Sequence, residues 1–309
     1  MEFRKIIAFG KSSFVISLPK AWLEANKLIK GDVIFLEQEE DNLMLVPKEK
    51  DIEREEKRIV INIDGKDLSR VKREIASAFI NFNDCIILEG KNLPNFSKEI
   101  VVFIHQLVAL EIMDQSTNKI VAKDFLKVED VNVKEYLKKS DITIRSMLSD
   151  LKDPSFDLYD DVISRQKNVD RIYLVILKVI KAVHEDPLRL KKSDDSLIDF
   201  FKYRQYNYCL YRIGKFLKHI TKNMVVLNIK EKKIVNDLLS EVYDHFIAVM
   251  KAVHCNNIER SHTFSSKKSE VREKLDKIIE KGSNKLVLIT YLITMIYLDI
   301  HELNHVNYD

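Results

Sequence analysis

Near one end of the chain two imidazoles and a carboxylate stand at a catalytic spacing. His301-Glu302-Leu303-Asn304-His305 reads H-E-x-x-H. On a helix that spacing sets both histidines on one face with Glu302 at hand as a general base, the arrangement zinc proteases use. Only four residues follow His305, so no downstream third ligand is expected, and no nearby stretch reads as a substrate-binding edge strand. A solvated helix end is the expected reading, with a bound metal at His301 and His305 as the alternative. His245, His254, Cys255 and His262 share one stretch, but the spacing from His245 to His254 does not pair ligands on one helix face. Tyr203, Tyr206, Tyr208 and Tyr211 crowd a helix beside Lys202 and Arg204. Base stacking is conceivable there, although tyrosine-rich helices more often pack their rings and leave the hydroxyls in water. The chain has no P-loop and no G-x-G-x-x-G. Nothing favours catalysis, and neither enzymatic activity nor a cofactor is expected.

The other chemistry lies at the opposite end. Arg4, Lys5, Lys11 and Lys20 sit on or beside one hairpin whose only acid is Glu2, while Glu37, Glu39, Glu40 and Asp41 crowd the next. Cations on a strand edge can neutralise phosphates; they can also simply block edge-to-edge pairing. Phe3–Phe9 reads as a strand, Gly10-Lys11-Ser12-Ser13 as a turn and Phe14–Leu18 as a second strand. Pro19-Lys20-Ala21-Trp22 opens a short helix, Gly31-Asp32 turns the chain, and Val33–Glu37 is set to pair with Leu43–Pro47. So small a unit, without cysteine, cannot bury a core alone, and a second copy of the chain is the expected remedy.

The 309 residues carry a formal net charge of +3, too small for a chain coated in nucleic acid, so any DNA-binding face must be local. Cys85, Cys209 and Cys255 lie far apart with no C-x-x-C pair, which fits a reducing cytosol better than a disulfide framework. No signal-peptide h-region opens the chain, and the longest uncharged run, Leu286–Leu298, is short of the ~20 residues that span a bilayer. A cytoplasmic protein without membrane insertion is expected.

Glycine and proline number only 6 and 5, so regular elements with short joints should dominate. Lys48–Arg58 is almost entirely charged and reads as a solvated linker or a short exposed helix. Beyond it the pattern is β-α-β-α-β-β. Ile59–Ile63 is a strand, and Asp67 caps a helix with Leu68, Val71, Ile75, Phe79 and Phe82 at helical spacing. Cys85–Leu88 is a buried strand, Phe96–Leu110 a helix, and Glu111–Ser116 with Lys119–Phe125 a hairpin. After Val131 six amphipathic stretches follow: Val133–Leu151, Phe156–Glu185, Ser193–Met224, Ile229–Asn256, Lys267–Lys281 and Asn284–Val306. Long amphipathic helices with short joints make an antiparallel bundle, here readable as two consecutive three-helix units, Val133–Met224 and Ile229–Val306.

Two resemblances add to this. The stretch from Arg4 to Pro47, above all Ser17-Leu18-Pro19-Lys20-Ala21-Trp22 and Lys30-Gly31-Asp32-Val33, resembles the AbrB/MazE (SpoVT-AbrB) swapped-hairpin domain. It implies a homodimer whose interleaved hairpins form one barrel, with Arg4, Lys5, Lys11, Ser12, Ser13 and Lys20 as the residues facing DNA. Further on, Ile61-Asn62-Ile63-Asp64-Gly65-Lys66-Asp67-Leu68, Leu110-Glu111-Ile112, Ile144-Arg145-Ser146-Met147-Leu148 and Val169-Asp170-Arg171-Ile172-Tyr173 resemble the archaeal phosphate-uptake regulators, which join an AbrB-type head to a PhoU-like bundle. That implies a transcriptional or signalling regulator of phosphate uptake, with DNA and phosphate-transport or phosphate-signalling proteins as partners. PhoU bundles gather E/D-x-x-x-D carboxylates around metal ions. The matching positions here are Gln166 and Asp170, with Asp160 and Asp161 upstream, and the next helix has Gly214 and Lys215 where the family has Ala and Asp. A lysine ammonium offers no lone pair, so a degraded metal site is expected, with Asp170 pairing a neighbouring base or capping a polar spot.

The expected fold class is therefore α+β and mainly helical. It comprises an N-terminal swapped-hairpin β-barrel half (1–48), a small α/β module (59–126) and a C-terminal PhoU-like antiparallel helical bundle (131–309). DNA-binding regulation is the leading functional expectation. Two rivals stay open: an adaptor whose head only dimerises, and a metal-dependent sensor or enzyme using Asp160, Asp161, Asp170 or the His301–His305 pair.

Overall fold

The computed structural model describes residues 3–11, 13–39, 42–47, 56–152, 159–185, 195–255 and 268–306. The chain divides into two compact units, Met1–Glu55 and Glu56–Asp309. The charged run expected as a linker lies mostly outside the described residues, and its last member, Arg58, already belongs to a strand of the second unit.

In the first unit, Gly10 adopts φ +72° and turns β1 (Ile7–Phe9) into β2 (Ser13–Val15), antiparallel with Ile7 opposite Val15 and Phe9 opposite Ser13. Both strands are shorter than their apolar alternation suggests. The ladder stops at the Ile7–Val15 pair, so residues 3–6 and 16–18 have strand-like composition but no strand partner in a single copy. Pro19 sits in an extended conformation as N-cap of α1 (Lys20–Ala25), and its carbonyl accepts from the Trp22 and Leu23 amides at 3.1 and 3.2 Å. A loop containing Gly31, at φ +100°, leads to β3 (Ile34–Glu39), which pairs antiparallel with β4 (Asn42–Pro47). The two hairpins are separate two-stranded sheets, so one copy of the chain does not close a barrel. Hairpins of this size are marginal alone in water.

The second unit starts with a four-stranded sheet in the order β5-β6-β8-β7, where β5 (Arg58–Asn62) runs parallel to β6 (Cys85–Glu89). β8 (Lys119–Asp124) pairs antiparallel with both β6 and β7 (Leu110–Gln115). Asp67 caps α2 (Leu68–Ile80) by accepting from the Arg70 amide at 2.8 Å. Val71, Ile75 and Phe79 of α2 then share a core with Ile61, Ile63, Ile86 and Leu88. The expected helix Phe96–Leu110 is corrected to α3 (Leu93–Ile104). Pro94 favours the early start. At the other end, Ala109 at φ +59° turns the chain into β7. Leu107 and Leu110 are buried, so the apolar spacing outlasts the helix because a turn and a strand go on filling the same core.

A 3-10 turn (Val128–Asp130) precedes α4 (Val133–Leu151), α5 (Tyr159–Glu185), α6 (Leu197–Met224), α7 (Ile229–His254), α8 (Lys268–Lys281) and α9 (Asn284–His305). Asn132, Ser196, Asn228 and Ser283 cap α4, α6, α7 and α9, with full capping boxes at Ser196–Asp199 and Asn228–Glu231. The two consecutive three-helix stretches share one core. α9 packs on both α6 and α7, α4 also packs on α6 and α7, and all six helices feed one core. By length and composition α9 could cross a bilayer, with 22 residues and an 18-residue window of mean hydropathy 1.6, because it extends beyond the uncharged run. Here Ile289, Ile293, Ile296 and Ile300 are buried within the bundle.

Layer and bundle meet where α2 packs on α5. Lys178 of α5, only 2% exposed at its side chain, pairs with Asp124 at the end of β8, with its ammonium 4.1 Å from the centroid of the Phe79 ring. Three residues on, Lys181 donates to the Asn81 side chain. Burial pushes the Lys178 pKa down, against the opposing pull of Asp124. Breaking one side of a buried pair strands the other charge. Lys178→Ala should therefore lower urea-unfolding stability by ~3–5 kcal/mol, whereas Lys178→Met combined with Asp124→Leu should recover most of that loss.

Candidate functional site

The head's cations sit at the ends of its first hairpin rather than along it. Arg4 and Lys5 occupy the unpaired segment before β1, and the Arg4 guanidinium donates to the Phe3 carbonyl at 3.3 Å. Lys11 stands in the turn, exposed; Ser13 begins β2 opposite Phe9. Lys20 opens α1, 91% exposed at its side chain and 3.6 Å from Glu24. Among the described residues Lys5 and Lys11 have no ion-pair partner. Ser12 lies outside the described residues.

These cations frame an apolar surface. Every described side chain from Phe3 to Pro47 is exposed or half-buried. Phe3, Phe9, Phe14 and Ile29 are 85, 69, 73 and 77% exposed, and Phe35, Leu36 and Leu43 are also open. Ile7, Phe9 and Val15 share one face of the β1–β2 hairpin and Phe14 lies on the other, so both faces of the ribbon show apolar groups to water.

The bundle does not assemble the carboxylates that the sequence offered as ligands. Asp160 and Asp161 are exposed in the first turn of α5. Asp170 is half-buried, accepts from Gln166 Nε2 at 2.7 Å and lies 3.5 Å from Lys215 Nζ. The Gln166 side chain is buried, and a Cβ at position 214 would come within 2.1 Å of its Oε1. Gly214 is thus the space that admits this amide. Among the described residues no three His, Cys, Asp or Glu side chains could hold a metal together.

The H-E-x-x-H stretch is not a solvated helix end. His301 is 6% exposed and its ring centroid lies 5.4 Å from that of Tyr297, so the histidine face turns into the bundle. His305 is half-buried on the same helix. Glu302 is exposed instead, accepting from Gln205 Nε2 at 2.8 Å. The other histidines are dispersed: His245 Nδ1 lies 2.8 Å from the Glu241 carbonyl, and His254 Nε2 lies 2.8 Å from Asp141 Oδ2. His262 lies outside the described residues. Tyr203 donates to Asp195 at 2.7 Å, and Tyr173 stacks on Tyr211, so two of the helix's four singled-out tyrosines serve packing within the chain.

Two buried carboxylates were missed from the sequence. Asp141 takes a bidentate pair from Arg145 at 2.7 and 2.6 Å as well as His254. Asp299 is buried on α9 with Arg212 Nε 3.4 Å away. The only available signal was a carboxylate directly after an uncharged helical run. Burial raises the Asp299 pKa to about 7; Arg212 opposes the shift and Glu302 adds to it.

A hairpin, a short helix and a second hairpin with exposed cations make the head a small strand-rich module. The family model described as "Antidote-toxin recognition MazE, bacterial antitoxin" matches residues 7–53. Residues 7–53 are thus similar to MazE/AbrB-like domains, which commonly bind DNA and dimerise. No curated protein and no solved structure matches the chain.

Asp299 yields a pH prediction. Its folded pKa of about 7 stands above the unfolded 3.8, so between those values the folded state holds a proton that the unfolded state releases. Stability should fall as pH rises through that window and level off above it. Asp299→Asn should flatten this decline and leave the variant ~1–3 kcal/mol more stable than the parent at pH 8, measured by urea unfolding across pH 4–8.

Proposed function

We propose that the chain is a homodimeric DNA-binding regulator. Its head holds backbone phosphates through Arg4, Lys5, Lys11, Ser12, Ser13 and Lys20, and its larger unit receives the regulatory signal. The observation that carries this reading is the head's surface: none of its described side chains is buried, and it displays Phe9, Phe14, Phe35 and Leu36 beside exposed cations. A second copy that covers the apolar groups leaves the cations outside and doubles them about a dyad. The family match over residues 7–53 supports the same conclusion.

The resemblance of Ile61–Leu68, Ile144–Leu148 and Val169–Tyr173 to phosphate-uptake regulators supports reading the signal as phosphate status. On this proposal the protein works in the cytoplasm, and phosphate-transport or phosphate-signalling proteins are its further partners.

Each phosphate neutralised on duplex DNA adds ~0.9 to the slope of log K against log salt. In a dimer, replacing Lys5 and Lys11 by alanine removes four cations, so the slope for a mixed-sequence duplex should flatten by about 3–4. Fluorescence anisotropy at four salt concentrations reads this directly. An unchanged affinity and slope would mean that the hairpin does not touch DNA and that the head only dimerises, as in an adaptor.

A further inference from the structure

α2 presents two different faces. Val71, Ile75, Ala78 and Phe79 point into the core under the sheet. Ser69, Lys72, Arg73 and Ala76, at i, i+3, i+4 and i+7, instead line a cleft of ≈ 620 Å³ between the sheet layer and the bundle. Phe103 of α3 and Leu174 of α5 supply apolar wall, and the stacked pair Tyr173–Tyr211, with centroids 4.1 Å apart and planes 17° from parallel, closes the bundle side.

The charge in this cleft exceeds what the fold uses. Lys72, Arg73 and Lys215 face a single carboxylate, Asp170. Lys72 makes no ion pair among the described residues, and its ammonium stands 5.8 Å from the Phe103 ring centroid. Arg73 donates to Ser69 one turn earlier on the same helix, at 2.9 Å. Lys215 reaches Asp170 only at 3.5 Å, whereas the amide of Gln166 holds that carboxylate at 2.7 Å. Three like charges thus line one cleft beside apolar walls, Arg73 exposed and Lys72 and Lys215 half-buried, with one carboxylate among them. A bound anion would balance the cations that Asp170 leaves over.

The volume falls within the range of small-molecule sites, and a bare oxyanion would leave most of it empty. We propose that this cleft binds a small organic anion. Its phosphate or carboxylate head lies among Lys72, Arg73 and Lys215, and its planar or apolar body lies against Phe103 and Leu174. A guanidinium fork suits either head group. The site lies wholly within the Glu56–Asp309 unit, so it stands independently of DNA binding.

Pyridoxal 5′-phosphate is a suitable probe because it combines a planar body and a phosphate with an aldehyde that condenses with lysine amines. The full chain would be incubated with an equimolar amount, reduced with borohydride and mapped by peptide mass spectrometry. Lys72 or Lys215 should be labelled at least tenfold ahead of the exposed lysines elsewhere in the same unit. That preference should drop at least fivefold with pyridoxal, which lacks the phosphate, and in the Arg73→Ala variant with unchanged circular dichroism. ADP should protect these lysines at concentrations where inorganic phosphate does not. Labelling spread evenly over the surface would overturn the proposal, as would equal labelling by pyridoxal. Protection by inorganic phosphate as strong as that by ADP would reduce the site to a bare-oxyanion pocket and sink the organic-ligand claim.

Discussion

Water cannot be excluded from the head by the head alone. Between Phe3 and Pro47 the chain makes two hairpins and one short helix, yet none of the described side chains there is buried. Burying about five of its large apolar residues against a second copy would contribute on the order of 10 kcal/mol, comparable to the whole stability of an ordinary domain. The short ladder of β1–β2 expresses the same constraint. Residues 3–6 and 16–18 keep strand composition without a strand partner, which is what a segment built to pair with another chain would show. Dimerisation in this account is the condition for a folded head, and the cations proposed to face DNA would be displayed only once it is met.

The larger unit obeys the opposite logic. Its sheet layer and the six described helices of its bundle carry continuous cores, and the buried Lys178–Asp124 pair ties the two layers together under Phe79 and Phe82. Such a pair adds little net stability over an apolar replacement, but it penalises any arrangement that separates its members. Lys178 and the Phe79 ring it contacts stand on α5 and α2, two of the helices that line the basic cleft. A ligand bridging them would bias their spacing, and a change of that kind can alter a distant function only if it favours one of two arrangements.

Much of the architecture was legible from periodicity. The six long described helices follow their apolar stripes to within a few residues, and Asn132, Ser196, Asn228 and Ser283 mark the starts of four of them. α3 was overextended because Leu107 and Leu110 keep apolar spacing while the backbone has already turned at Ala109. The metal readings depended on spacing along one helix, whereas a site depends on convergence between helices. His301 and His305 do share a face, but that face is packed, and Asp160 and Asp161 point to solvent. The basic cleft was illegible for a related reason. Lys72 and Arg73 come from α2 and Lys215 from the distant α6, and no local pattern announces that the fold will place them around one space.

The central claim concerns assembly, so a mass in solution tests it most directly. Sedimentation equilibrium of the full chain at micromolar concentration should give about twice the chain mass of 36.2 kDa, and replacing Phe9 and Phe14 by aspartate should shift it toward one. A single-chain mass for the unaltered protein across that range, with the head folded by circular dichroism, would contradict the account.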